Sequence, residues 1–115
     1  MTFCILLSVT QSMANCPDGI IIKGNIGTYC KSKVNLNWIT SFSWCKSQGM
    51  QLATWEEACP GSPINSSRCP NLEKKSEGWA WIATPKDPSL AFLIRFEKGV
   101  MVDTARSHTA YALCK

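Results

Sequence analysis

The stretch SFSWCKSQGMQLATWEEA, residues 41–58, decides how the rest of the chain is read. Trp38, Phe42 and Cys45 fall at i, i+4 and i+7, with Ile39 beside them. That spacing predicts one apolar face of an amphipathic helix, and it turns Cys45 inward in the last helical turn. Asn35 or Asn37 can cap the start, and Gly49 can take the left-handed conformation that ends such a helix. Downstream, Thr54 and Glu57 stand three residues apart. The Thr54 hydroxyl can accept the Glu57 amide while the Glu57 carboxylate reaches back to the Thr54 amide, a capping box that opens a second helix. Pro60 keeps that helix from running on. Glu56 and Glu57 are neighbours and point about 100° apart on a helix. They cannot flank one glycosidic bond as a catalytic pair must, so capping is the role their spacing supports.

The composition sets the compartment. The chain has 115 residues, enough for one domain with a modest core, and 45% of them are hydrophobic against 17% charged, a globular balance. Seven cysteines in so short a chain approach the density of disulfide-stapled secreted domains. The net charge is +4, with no basic run longer than Lys74-Lys75. Nucleic-acid binding needs a clustered basic stripe, so that class is set aside. FCILLSV (3–9) is an apolar run of seven followed by TQ and then SMA, with Ser12 and Ala14 at the small positions of a cleavage site. Residues 1–14 therefore read as a signal peptide or its remnant, although no charge precedes Asp18 and the usual basic start is missing. The competing reading is a buried N-terminal strand. The run is too short to span a bilayer.

Cleavage after Ala14 removes Cys4 and leaves six cysteines: Cys16, Cys30, Cys45, Cys59, Cys69 and Cys114. An even set in an exported domain reads as three bridges, and sequence alone leaves about 15 pairings open. Zinc competes poorly. No two cysteines are spaced as CxxC and His108 is the one histidine, whereas a structural zinc site takes four ligands in close pairs.

Either side of the opening stretch the chain reads as β. GIII (19–22) and GTYCK (27–31) flank KGN as a hairpin. WAWIA (79–83) alternates large and small residues. AFLIRF (91–96), the turn EKG and VMV (100–102) form a second hairpin with Gly99 in the turn, and AYALC (110–114) is a last strand. Between them, PGSPINSSRCPN to KKSEG is a long loop of low helix and strand propensity. A Cys59–Cys69 bridge would close part of it. Asn65-Ser66-Ser67 is a glycosylation sequon, relevant in a eukaryotic secretory route. The order predicts an α+β domain over residues 15–115.

WITSFSWCKSQGMQLATWEEA, the strand WAWIA and the terminal YALCK together resemble a C-type lectin-like domain. Cys45, Gly49, Leu52-Ala53, Glu56-Glu57, Trp81-Ile82-Ala83 and Cys114 match that family's pattern in order. The resemblance covers residues 16–115 and implies two helices packed on small antiparallel sheets with a long loop region. It implies a Cys45–Cys114 bridge from the first helix to the last strand, and Cys16–Cys30 across the N-terminal hairpin. Cys59–Cys69 then remains as a bridge outside the family's usual set, and Cys4 is unpaired. A bridged Cys45 cannot be a nucleophile activated by His108.

The family's calcium-dependent sugar site does not carry over. Its EPN or QPD loop and WND strand are missing, and the corresponding loop reads TPKDPS (84–89). One carboxylate, Asp87, beside Lys86, and then Asp103 near Arg106 and His108, make a poor cage for an ion that takes six to eight oxygens. No metal or cofactor is expected. The ending W-A-W-I-A-T … A-L-C is similar to bacterial lectin-like domains on exported surface and pilus-associated proteins. The expectation is a secreted, periplasmic or cell-surface recognition or adhesion module that binds a protein or glycan without calcium. A structural module of a larger surface assembly, or a hydrolase built around His108, are the other classes. The expected ligand-binding set is Trp79, Lys86, Asp87, Arg106 and His108, although polar loops are commonly just solvated. For Trp79 and Trp81 the ordinary role is core, and one is expected to be more buried than the other. Trp38 is expected in the core, with Trp44 and Trp55 covering helix flanks.

Overall fold

The computed structural model describes residues 16–24, 27–69 and 78–115. Residues 1–14 and Cys4 lie outside the described residues. The element order is β1 (Gly19–Gly24), β2 (Gly27–Ser32), α1 (Trp38–Ser47), α2 (Trp55–Ala58), a 3-10 turn (Ile64–Ser66), β3 (Trp79–Pro85), β4 (Leu90–Arg95), β5 (Val100–Ala105) and β6 (Tyr111–Cys114). The fold is α+β, with two helices, one mixed six-stranded sheet and three disulfides.

The sheet order is β1-β2-β6-β3-β4-β5. This corrects the expectation of separate, small antiparallel sheets. The last strand is inserted at the middle. It runs antiparallel to β2 through Cys30↔Cys114 and parallel to β3 through Ala80↔Tyr111 and Trp81↔Ala112, and so joins the two hairpins into one sheet. Alternation along the strands divides the core between two faces. Trp81, Ala91, Leu93 and Ala112 pack with Trp38 and Cys45 of α1. Ala80, Ile82, Ile94 and Leu113 pack with Trp55 and Ala58 of α2 and with Cys59 and Cys69.

Helix α1 starts as its sequence dictates. Asn37 is the cap, its Oδ1 accepting from the Thr40 amide at 2.8 Å. It ends at Gly49, whose φ is +74°, with Gly49 N donating to Lys46 O and Met50 N to Cys45 O, both at 3.0 Å. Those two bonds are a Schellman termination. The buried face differs from the one expected. Trp38, Ser41 and Cys45 are buried, whereas Phe42 and Ile39 are 39% and 62% exposed. Ser41 can face the sheet because its hydroxyl donates to Asn37 O at 2.9 Å, which satisfies it inside the helix.

Helix α2 is a single turn, and the Thr54–Glu57 capping box is fully formed. Trp55 is fully buried rather than lying on a flank. Trp55 packs in the core cluster with Ala80, Ile82 and Ile94, and its indole donates to Ser62 O at 2.7 Å. Trp38 and Trp81 solve the same problem by donating to Ile82 O and Leu36 O. A buried indole N–H without such a partner would carry a desolvation cost. The bridges are Cys16–Cys30, Cys45–Cys114 and Cys59–Cys69, as the resemblance implied. Among the described residues no helix is long and apolar enough to cross a membrane.

Candidate functional site

The β3–β4 connection, the end of β5 and the start of α1 meet at one end of the sheet. The connection is held by a turn of its own. Asp87 Oδ1 accepts from the Ser89 amide at 2.8 Å, the Leu90 amide at 2.9 Å and the Ser89 hydroxyl at 3.1 Å. These bonds, the Ser89 amide first, hold the Asp87 carboxyl below its ordinary range, with a smaller contribution from the Arg106 charge. Arg106 clamps the turn from outside. Its Nη2 donates to Asp87 O, its Nε donates to Leu90 O at 3.3 Å, and its guanidinium lies 4.2 Å over the Trp38 ring. Its backbone continues the clamp: Arg106 N donates to Ser89 O, and Trp38 N donates to Arg106 O.

The five residues singled out from sequence thus separate. Asp87 and Arg106 come together, and their hydrogen bonds hold the loop although Asp87 is exposed. Lys86 turns to the other side of the sheet end. His108 is exposed in the adjoining turn, where its amide donates to Ala105 O. Trp79 is remote. It lies at the opposite end of β3, six residues and roughly 20 Å from Pro85 at about 3.3 Å per residue. There it is half-buried, with Arg95 stacked 5.4 Å from its ring. Trp81, by contrast, is fully buried. The two share one face, so position along the strand, not alternation, separates their burial.

Lys86 opens onto a groove of about 610 Å³ between the 3-10 turn and the β4–β5 hairpin. Phe92 and Met101 form its apolar floor, and Asn65, Ser67, Lys86 and Asp103 its rim. Phe92 and Asp103 are cross-strand neighbours. Lys86 Nζ lies 5.9 Å from the Phe92 centroid and 3.8 Å from Asp103 Oδ2. Both charged side chains are more than 40% exposed, so this pair is weak and easily exchanged for a ligand's polar groups. The result is a partly buried aromatic ring ringed by an amide, a hydroxyl, an amine and a carboxylate. Such a set matches the apolar face of a sugar ring with its hydroxyls, or a polar peptide.

A second groove, of about 730 Å³, runs along the C-terminal half of α1. Phe42, Met50 and Leu52 line it together with Ser43, Lys46, Gln51 and Thr54, and it presents no aromatic ring beside a paired cation and carboxylate. Among the described residues no three His, Cys, Asp or Glu side chains gather as a metal site would require, and His108 engages none of the described carboxylates. Neither the scan against family models nor the search of curated proteins found a match for this chain.

Sequence reasoning missed Asn65, Ser67 and Phe92 as groove residues and treated Asp103 only as a poor calcium ligand. The available signals were the sequon at Asn65 and the position of Phe92 between buried strand neighbours. Neither says that a loop some 30 residues upstream folds beside β5. The register that does so is Met101 N donating to Ser67 O and Cys69 N donating to Gly99 O.

Proposed function

We propose that this chain is a recognition module of the C-type lectin-like class, exported to an oxidising compartment as a secreted, periplasmic or cell-surface domain, that binds a glycan or protein on a surface without calcium. The observation that carries the reading is the Phe92 groove. Its aromatic floor and Asp103 stand on the β4–β5 hairpin, and Asn65, Ser67 and Lys86 complete the polar rim from the neighbouring loops. Three disulfides support the compartment, because such bridges persist where thiols are not kept reduced. The Cys45–Cys114 bridge from first helix to last strand supports the class. The way the carboxylates are used supports independence from calcium. Asp87 oxygen is taken up by its own turn, and Asp103 faces Lys86.

The test is a glycan and protein array probed with the oxidised chain, with and without chelator, followed by titration of any hit. Lys86→Ala and Asp103→Ala should each weaken binding about tenfold, a loss of about 1.4 kcal/mol. Lys46→Ala, in the other groove, should leave it unchanged. Binding abolished by chelator, or insensitive to Lys86 and Asp103, overturns the reading.

A further inference from the structure

Strand β1 is one of the two edges of the sheet, and its outer backbone groups meet no strand among the described residues. The other edge is protected. Segment 67–69 closes over the start of β5 through the Arg68↔Val100 bridge and the bonds from Cys69 and Met101, and the Lys86–Asp103 pair stands farther along it. Natural sheets blunt their edges with charges, prolines or covering segments. The sequence of β1, GIIIKG, has three consecutive β-branched residues and one charge, and Ile20 and Ile21 are each 44% exposed.

The direction of each backbone group follows from the ladder. Leu113 O and both Lys115 backbone groups bond to Ala53 and Gln51, on the side of β6 away from β2. Successive residues of a strand alternate sides, so Cys114 faces β2 and its partner Cys30 faces β6. Ile21, paired with Cys30 from the other side, therefore directs its N–H and C=O out of the sheet, as does Lys23; Gly19 offers its C=O, its N–H donating to Cys16 O at 3.2 Å. This row of outward groups is specific for one kind of occupant, an extended strand.

We propose that the occupant is β1 of a second copy of this chain, paired antiparallel about a two-fold axis at Ile21. In that register Ile21 meets Ile21 of the other copy, Ile20 meets Ile22, and Lys23 meets Gly19. The two lysines are kept apart, and no like charges oppose each other. A six-residue edge buries less than the 1,200 Å² or so typical of stable complexes, so the dimer is weak and reversible. This inference is independent of the Phe92 groove.

Sedimentation equilibrium on the oxidised full chain tests it. The wild-type mass should rise with concentration from one copy toward two. Ile21→Glu and Ile21→Lys each place like charges on the axis and should weaken association at least tenfold. An equimolar mixture of the two variants should associate again, because the axis then carries opposite charges. The Ile21 side chain is exposed, so both variants should keep the wild-type disulfide map. If either fails to fold, the concentration dependence of amide exchange in the wild type decides. Ile21 and Lys23 amides should gain protection as concentration rises, while Ile20 and Ile22 amides, already bonded to β2, should not. A wild type that stays monomeric, variants that associate as it does, or a mixture that does not recover would each overturn the Ile21-centred pairing.

Discussion

The middle of the sheet and its loop end are held by different physics. At the middle, β6 is gripped from both sides by neighbouring strands, tied to α1 by Cys45–Cys114, and packed against a Trp81 side chain with no exposed surface. At the loop end, a turn of polar residues is held by three bonds to one carboxylate oxygen and by an arginine that reaches two carbonyls. Apolar burial and covalent closure act over many residues at once. The polar clamp acts over four, in contact with water. The middle should therefore set global stability, while the loop end sets only local order.

The largest test of that contrast is the bridge. Its cysteines are 69 residues apart, against 10 for Cys59–Cys69. In the chain-entropy account, replacing Cys45 and Cys114 by Ala should cost about 4 kcal/mol, and replacing Cys59 and Cys69 about 3 kcal/mol. Denaturant unfolding of the two double variants checks the order. Equal losses would mean that the middle is held by packing alone.

A smaller effect separates the two strand tryptophans. Trp81→Phe removes the indole that donates to Leu36 O at 2.7 Å, leaving that carbonyl with the Ala110 amide as its remaining donor, and opens a small void. About 2 kcal/mol should be lost. Trp79→Phe, at the half-buried end of the strand, should cost less than about 1 kcal/mol, mostly the stacking with Arg95. Comparable losses would remove the distinction between the strand's middle and its end.

The same contrast explains what could be read from the sequence. Cys45, Gly49, Thr54 and Glu57 each perform a task that few other residue types can, so their spacing revealed the α1 termination and the α2 cap. Trp55 was misplaced because a capping box fixes where a helix begins but not which way its first side chain points. Phe42 was misplaced because i+4 spacing cannot show that Ser41, satisfied by a bond to its own helix, takes the buried position. The mixed sheet was hidden because four residues, Tyr111–Cys114, carry no mark of pairing in parallel with β3 on one side. At the candidate site, Asp87 and Arg106 drew attention as charges. Their actual partners are backbone amides and carbonyls, which every residue has and no sequence pattern displays.

The α2 cap is a polar device within the stapled region, and it tests whether polar bonds there matter more than at the loop end. Thr54→Ala removes the acceptor for the Glu57 amide and should cost about 1 kcal/mol by thermal unfolding. Glu57→Gln can still accept from the Thr54 amide, now 3.0 Å from Glu57 Oε1, and should cost less. A larger loss for Glu57→Gln would assign the carboxylate a role beyond the cap.

The smallest expected effect is confined to the loop end and depends on pH. The folded Asp87 carboxyl titrates below its ordinary range because it accepts from Ser89 and Leu90. A depressed carboxylate stabilises the fold fully above its unfolded pKa of about 4, and this contribution disappears as pH falls through the folded value. Global melting is a poor readout, because Glu97, which accepts from the Gly78 amide at 3.2 Å, is depressed in the same direction and would titrate in the same window. Local protection of the Ser89 and Leu90 amides isolates Asp87, since both bond directly to its carboxylate. In the wild type their protection factors should fall on acidification below about pH 4, while amides of β3 and β6 keep theirs. In Asp87→Asn the side-chain carbonyl can still accept, so protection at neutral pH should be lower and its acid dependence lost. If Ser89 and Leu90 instead lose protection only together with β6, the loop end is not a separately ordered unit, and it opens only when the middle of the sheet does.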